Sequence, residues 1–227
     1  MEALAEELMD ELQCKTVFEI PLFGGIPISE SVVVTWIIMV MILVICRILV
    51  HDMKTIPDGR QAAAEIIVEK LYGFFGDILG ERGTRYIPYL ATVAIYIGFA
   101  NLIGLLGFKP PTKDLNVTAA LSIMSIFLIE FAGFRQKGAK KWLKSFAEPI
   151  PVIAPINILE VFIRPLSLCM RLFGNVLGAF VVMELIKIIV PVIVPVPFSC
   201  YFDIFDGLIQ AYVFVFLTSL FISEAIE

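Results

Sequence analysis

Within Pro165-Leu166-Ser167-Leu168-Cys169-Met170-Arg171-Leu172-Phe173-Gly174-Asn175, a single guanidinium stands in a stretch otherwise apolar enough for lipid. No acidic residue lies within ten positions of Arg171 on either side, so no neighbour on its own helix neutralises it. An arginine cannot shed its proton to escape burial, and an ionisable side chain at membrane depth costs about 3 kcal/mol on insertion scales. Such a residue marks a functional site. The chemistry it offers is electrostatic: a fixed cation that pairs with an acid brought from elsewhere and repels other cations.

The same region holds Glu160, Arg164, Asn175, Glu184, Lys187, Asp203, Asp206 and Gln210, whereas the earlier apolar runs are nearly free of charge. Arg164, Leu168, Arg171 and Asn175 follow three- and four-residue steps, and Gly174 and Gly178 open that neighbourhood to close approach. Downstream, Asp203, Asp206 and Gln210 also share one helical face. Two polar stripes in a helical hairpin imply a hydrated path. Plainer readings stand beside this one: Glu184 and Lys187 as an i,i+3 ion pair, Arg164 as a snorkelling interfacial charge, Asp203 and Asp206 as a wet helix end.

The elements that position these residues follow from composition. The chain has 227 residues, 59% hydrophobic and 17% charged, with mean hydropathy +0.92; soluble domains carry about 25% charged residues. An integral membrane protein is expected. The net charge of −5 is segregated by region and suggests no nucleic-acid partner. Cys14, Cys46, Cys169 and Cys200 are far apart and read as small hydrophobes rather than a disulfide or metal framework. The first long apolar run begins near Val32 behind an acidic leader, so no signal peptide with a basic n-region is expected.

Residues 1–31 form an acidic segment, with Glu2, Glu6, Glu7, Asp10, Glu11, Glu19 and Glu30 against Lys15, broken by Pro21, Gly24, Gly25 and Pro27. Residues 32–148 supply three spans, at 32–50, 86–108 and 117–134, each long enough to cross a bilayer. Between the first two, after a turn at Pro57-Asp58-Gly59, Ile66, Ile67, Leu71, Phe74, Phe75 and Ile78 predict a helix with one apolar stripe, lying along a surface. Arg135, Lys137, Lys140, Lys141 and Lys144 form a basic cluster that places their loop in the cytoplasm. The basic 51–85 loop falls on the same side, and the acidic N-terminus and the 109–116 turn fall outside. Glu130 reads as an interfacial carboxylate.

Residues 149–227 form a long helical hairpin, cut by Pro191, Pro195 and Pro197. Its first helix, from about Pro155 to Val190, reaches about 54 Å at ~1.5 Å per residue, against a bilayer core of about 30 Å. Strong tilt, or a start outside the membrane, must absorb the difference. The fold class is therefore an all-α polytopic membrane protein of about five membrane helices and one amphipathic interfacial helix, closed by a long tilted hairpin.

The Ser167–Asn175 stretch, with Gln210-Ala211-Tyr212-Val213-Phe214 downstream, resembles the ion-channel subunit a of rotary F-type ATP synthases of the bacterial type. Pro111-Thr112-Lys113-Asp114-Leu115-Asn116-Val117-Thr118 resembles a second motif of that family. The resemblance implies a stator subunit whose last two helices lie against a ring of small c-type rotor subunits, each with a lipid-exposed carboxylate. Two offset half-channels would bring H⁺ or Na⁺ to those carboxylates from opposite sides, and a b-type peripheral-stalk subunit would be a further partner. By that likeness Arg171 faces the rotor acids, Gln210 is its polar partner on the opposing helix and Asn175 lies beside the channel. Asp203 falls where the family often carries a titratable residue of the outer half-channel.

The physics suits that role: a permanent cation favours ionisation of an acid beside it, and the same charge blocks direct passage between half-channels. One departure is clear. Many members carry a carboxylate or histidine nine positions after the arginine, and here Phe180 stands there, so Glu184, Asp203 or Asp206 would take that place. The resemblance places the chain in a bacterial plasma membrane, N-terminus outside and C-terminus in the cytoplasm.

A self-contained secondary transporter is the alternative, but it would show internal repeats and paired broken helices, and no such symmetry is seen. An enzyme is not indicated: the single histidine, His51, lies in a loop, and HExxH, GxSxG and P-loop patterns are absent. No cofactor or metal is expected.

Overall fold

The computed structural model describes residues 16–20, 26–51, 54–55, 59–146, 154–189 and 195–227. The expectations for Glu2 to Lys15, Pro21, Gly24, Gly25, the Pro57-Asp58 turn and Pro191 lie outside those residues. Among them, five helical stretches are long and apolar enough to cross a membrane, which makes this an α-helical multi-pass protein.

The chain opens on an antiparallel hairpin, β1 (Thr16–Ile20) with β2 (Ile26–Ser29), in register Phe18↔Ile28 and Ile20↔Ile26. The acidic-segment reading missed it, although Thr-Val-Phe-Glu-Ile followed by a Gly-Gly pair is a strand-and-turn pattern. Helix α1 (Glu30–Leu49) follows at once, its Glu30 in the first turn and Arg47 in the last complementing the helix dipole. Helix α2 (Arg60–Gly83) bends at Gly80, whose φ of 61° only glycine takes readily, and a 3₁₀ turn (Thr84–Tyr86) leads into α3 (Ile87–Leu102). A second 3₁₀ turn (Ile103–Leu106) ends at Gly107 with φ 83°, and a third (Pro111–Lys113) starts on proline.

Helix α4 (Leu115–Lys137) is followed by the short α5 (Ala139–Ser145). Helix α6 (Ala154–Ile189) runs 36 residues with Pro165 inside it. The last span is broken into α7 (Pro195–Ser199), a π-helical segment (Cys200–Asp206) and α8 (Gly207–Ile226). Every expected span appears within a few residues of its sequence bounds, but the final one is not a uniform α-helix.

Two compact units divide these elements, one made of residues 1–41, 96–118 and 170–211, the other of 42–95, 119–169 and 212–227. In the first unit, Val34 and Ile38 of α1 are buried, and the Thr35 hydroxyl meets the Tyr96 hydroxyl at 3.1 Å. Thr112, Lys113 and Asp114 of the proline turn are buried too, and Asp114 Oδ1 accepts from the Asn116 amide at 2.9 Å, an Asx turn that starts α4.

In the second unit, Phe75 and Leu79 of α2 are buried, Phe74 packs against the Tyr212 and Phe216 rings, and Ser223 Oγ donates to the Ile78 carbonyl. Helix α2 thus docks on the last helix through its C-terminal half, while Ile66 and Ile67, expected in the same apolar stripe, remain exposed together with Val68. Gly133 admits the Ala225 carbonyl, which would lie 3.2 Å from any Cβ added there.

Candidate functional site

Asn175, Glu184, Asp203, Asp206 and Gln210 line one cleft of about 510 Å³ in the first unit. Asn175 Nδ2 donates to Asp206 Oδ2 at 2.8 Å and, more weakly, to Gln210 Oε1 at 3.5 Å. Two helices of the hairpin are therefore joined by a polar bridge inside an apolar region. Gln210 is buried, and its Nε2 has no acceptor among the described residues; a buried donor left unmet costs about 1–3 kcal/mol.

The π-helical segment orients the acids. The Gly207 amide reaches back to the Phe202 carbonyl, five residues earlier, and the wider turn shifts the faces of the helix relative to an α-helical run. Two glycines and one asparagine accommodate it. Asn101 Nδ2 donates to the Gly207 carbonyl at 2.8 Å, and Thr112 Oγ1 donates to Asn101 Oδ1 at 3.0 Å. A Cβ on Gly207 would stand 2.8 Å from the Asn101 Cβ. Gly104 leaves room for the Asp203 carboxylate, whose Oδ1 would be 3.0 Å from a Cβ there, and Ser199 Oγ donates to Asp203 Oδ2.

None of Asn101, Gly104, Thr112 or Gly207 was read as a site residue from sequence. Two signals point to them: Thr112 lies in the Pro111–Thr118 motif, and Asn101 is an amide inside a run of 23 residues without a charge, where such a side chain needs a partner.

Toward the proline-rich end of α6, Lys187 Nζ pairs with Glu184 Oε1 at 2.7 Å, so the ion-pair reading of these residues and their place in the cleft both hold geometrically. Phe180, where the family pattern favours an ionisable group, lies under the Lys113 ammonium, 4.4 Å from its ring centroid. A cation over an aromatic face occupies the position instead.

Arg171 does not line the cleft. It is exposed one turn before Asn175, on a face where Ser167, Gly174 and Gly178 are exposed as well, and neither glycine has a neighbour where a Cβ would go. Met170 and Leu166 carry that exposed face onward as apolar surface. The guanidinium has no ion pair among the described residues.

Arg164 behaves differently. In the second unit its Nη2 meets Glu160 at 3.0 Å and Glu224 at 2.7 Å, and its guanidinium lies 4.8 Å from the Phe221 centroid. The snorkelling charge is thus a tie between α6 and the end of α8. Glu130 accepts from Trp142 Nε1 at 3.2 Å.

The family model described as the ATP synthase A chain matches residues 32–223. ATP synthase subunit a of Moorella thermoacetica is 37% identical over 205 residues, covering 90% of this chain and 94% of the relative. ATP synthase subunit a 2 of a Bradyrhizobium species is 36% identical over 204 residues, with 89% and 91% covered. The sodium-ion-specific ATP synthase subunit a of Propionigenium modestum is 30% identical over 218 residues, with 89% and 75% covered.

Proposed function

The chain belongs to the ATP synthase A chain family, and from that premise we propose that it is the ion-translocating stator subunit of an F-type ATP synthase, with Arg171 separating two half-channels. The observation that carries the reading is the contrast on α6 between neighbours one turn apart. Asn175 turns inward to a cleft lined by Asp203, Asp206, Glu184 and Gln210, while Arg171 turns outward, exposed.

A cleft lined by several half-buried acids is what an ion needs to cross half of a bilayer. Here it would be the half-channel that opens beside the proline-rich connection, on the outer side. An exposed guanidinium with no ion pair among the described residues suits a moving acid carried by another chain, a ring of small rotor subunits. As each rotor carboxylate arrives, the fixed charge favours its ionised form and releases the bound ion. The same charge bars ions from leaking between the paths. Residues 149–227 would carry both paths, a b-type stalk subunit would hold the chain against rotation, and nucleotide chemistry would take place on other subunits. The basic 135–144 segment supports a cytoplasmic position for that loop and for the C-terminus in a bacterial plasma membrane.

Replacing Arg171 with Ala in the assembled complex tests the reading. ATP-driven ion pumping should be abolished while the complex still assembles; near-normal coupled pumping would overturn it.

A further inference from the structure

A second cleft, of about 550 Å³, lies in the other unit where α2 turns into α3, lined by Arg82, Arg85 and Arg135 together with Tyr72, Tyr86 and Glu81. The corner is built for this: Gly80 bends the chain, and the 3₁₀ turn carries Arg85 three residues after Arg82. Arg135 comes from the last turn of α4. All three arginines are exposed, and among the described residues none forms an ion pair. Three guanidiniums against one carboxylate leave the cleft strongly positive, and its volume suits a small ligand.

Its apolar surroundings narrow the ligand. Phe127, Phe131 and Arg135 follow in four-residue steps on one face of α4, and the two rings are 72% and 52% exposed. Phe134 adds a third exposed ring beside them. The guanidinium cluster therefore ends an aromatic strip that runs along a membrane-spanning helix, and the exposed Tyr72 lines the cleft beside it. A free anion would leave that strip unused.

We propose that this cleft binds one anionic phospholipid, its phosphodiester held by Arg82, Arg85 and Arg135 and an acyl chain lying along Phe127 and Phe131. Forked guanidiniums match phosphate oxygens in pairs, and basic pockets at helix ends are a recurrent way of holding acidic headgroups. The inference stands apart from ion translocation and requires only that the helices span a bilayer.

The test uses the purified full chain in phosphatidylcholine vesicles, with spin-labelled phosphatidylglycerol compared with spin-labelled phosphatidylcholine. The wild-type chain should prefer phosphatidylglycerol, and Arg82→Gln, Arg85→Gln or Arg135→Gln should each lower that preference about fivefold. A Lys140→Gln/Lys141→Gln/Lys144→Gln variant, charge-altered outside the cleft, should keep it. Equal losses from the lysine and arginine variants would mean a diffuse basic field and overturn the proposal. Release of the label by excess inorganic phosphate would assign the cleft to free anions, and displacement by a glutamate-rich peptide would assign it to a protein; either result overturns it. Where a glutamine variant does not fold, salt supplies the second reading: the wild-type preference should fall as ionic strength rises, and one unmoved by salt also overturns it.

Discussion

The Asn101 side-chain amide donates to the Gly207 carbonyl at 2.8 Å, where the π-helical segment passes into α8. One buried side chain thereby joins α3, the proline turn through Thr112 and the last helix. Asn101→Ala leaves the Thr112 hydroxyl and the Gly207 carbonyl without that partner, and it should lower stability by about 1–3 kcal/mol. Gly207→Ala should cost a similar amount by pushing a Cβ into Asn101. Thermal unfolding of the purified chain checks both, and an unchanged midpoint in either variant would contradict the assignment.

The Gly104 position predicts a loss confined to transport. An added methyl meets the Asp203 carboxylate at 3.0 Å and must displace it, whereas one at Gly98, in α3 just before the 3₁₀ turn that holds Gly104, meets nothing within 4 Å. Gly104→Ala should lower ATP-driven pumping by the complex roughly two- to tenfold, equivalent to about 0.5–1.5 kcal/mol. Gly98→Ala should leave pumping near wild type. Equal rates for the two variants would show that Asp203 tolerates the shift.

Asn175 and Asp206 can be tested by exchange. Asn175→Asp alone sets two carboxylates against each other and should cost about 1.5–3 kcal/mol through loss of a charge-assisted hydrogen bond. Asn175→Asp/Asp206→Asn restores one amide and one carboxylate across the same 2.8 Å gap and should recover assembly and part of the pumping. A double variant no better than the single would argue against direct coupling.

Arg164→Gln should have a small effect. Its two acids are largely exposed, at 52% and 61%, so the ion pairs are worth about 1 kcal/mol or less and weaken with salt. The unfolding midpoint should fall slightly at low salt and converge on wild type at high salt. A large, salt-independent loss would mean that packing on Phe221 dominates.

The sequence makes the spans legible because lipid imposes a simple demand: about 20 apolar residues in a row. Asn175, Asp203, Asp206 and Gln210 are legible for the complementary reason, since polar groups inside such runs are costly and few. What supports them is not. Asn101, Gly104 and Gly207 are neutral and small, and their importance lies in distances between segments remote in sequence. The π turn escapes because face assignments assume α-helical spacing throughout, and a five-residue hydrogen bond has no residue pattern of its own. The β1–β2 hairpin is hidden by the acidic residues around it. Lys113 over Phe180 could not be foreseen from either residue alone.

The outward placement of Arg171 also bears on biogenesis. If Arg171 meets a rotor acid as proposed, a copy inserted without that partner would hold an exposed guanidinium near the middle of a 36-residue helix, at a cost of about 3 kcal/mol at membrane depth. On the proposed function, surplus copies would carry that cost unrelieved and be more open to proteolysis, so the charge that serves the finished machine would also keep its stoichiometry in check.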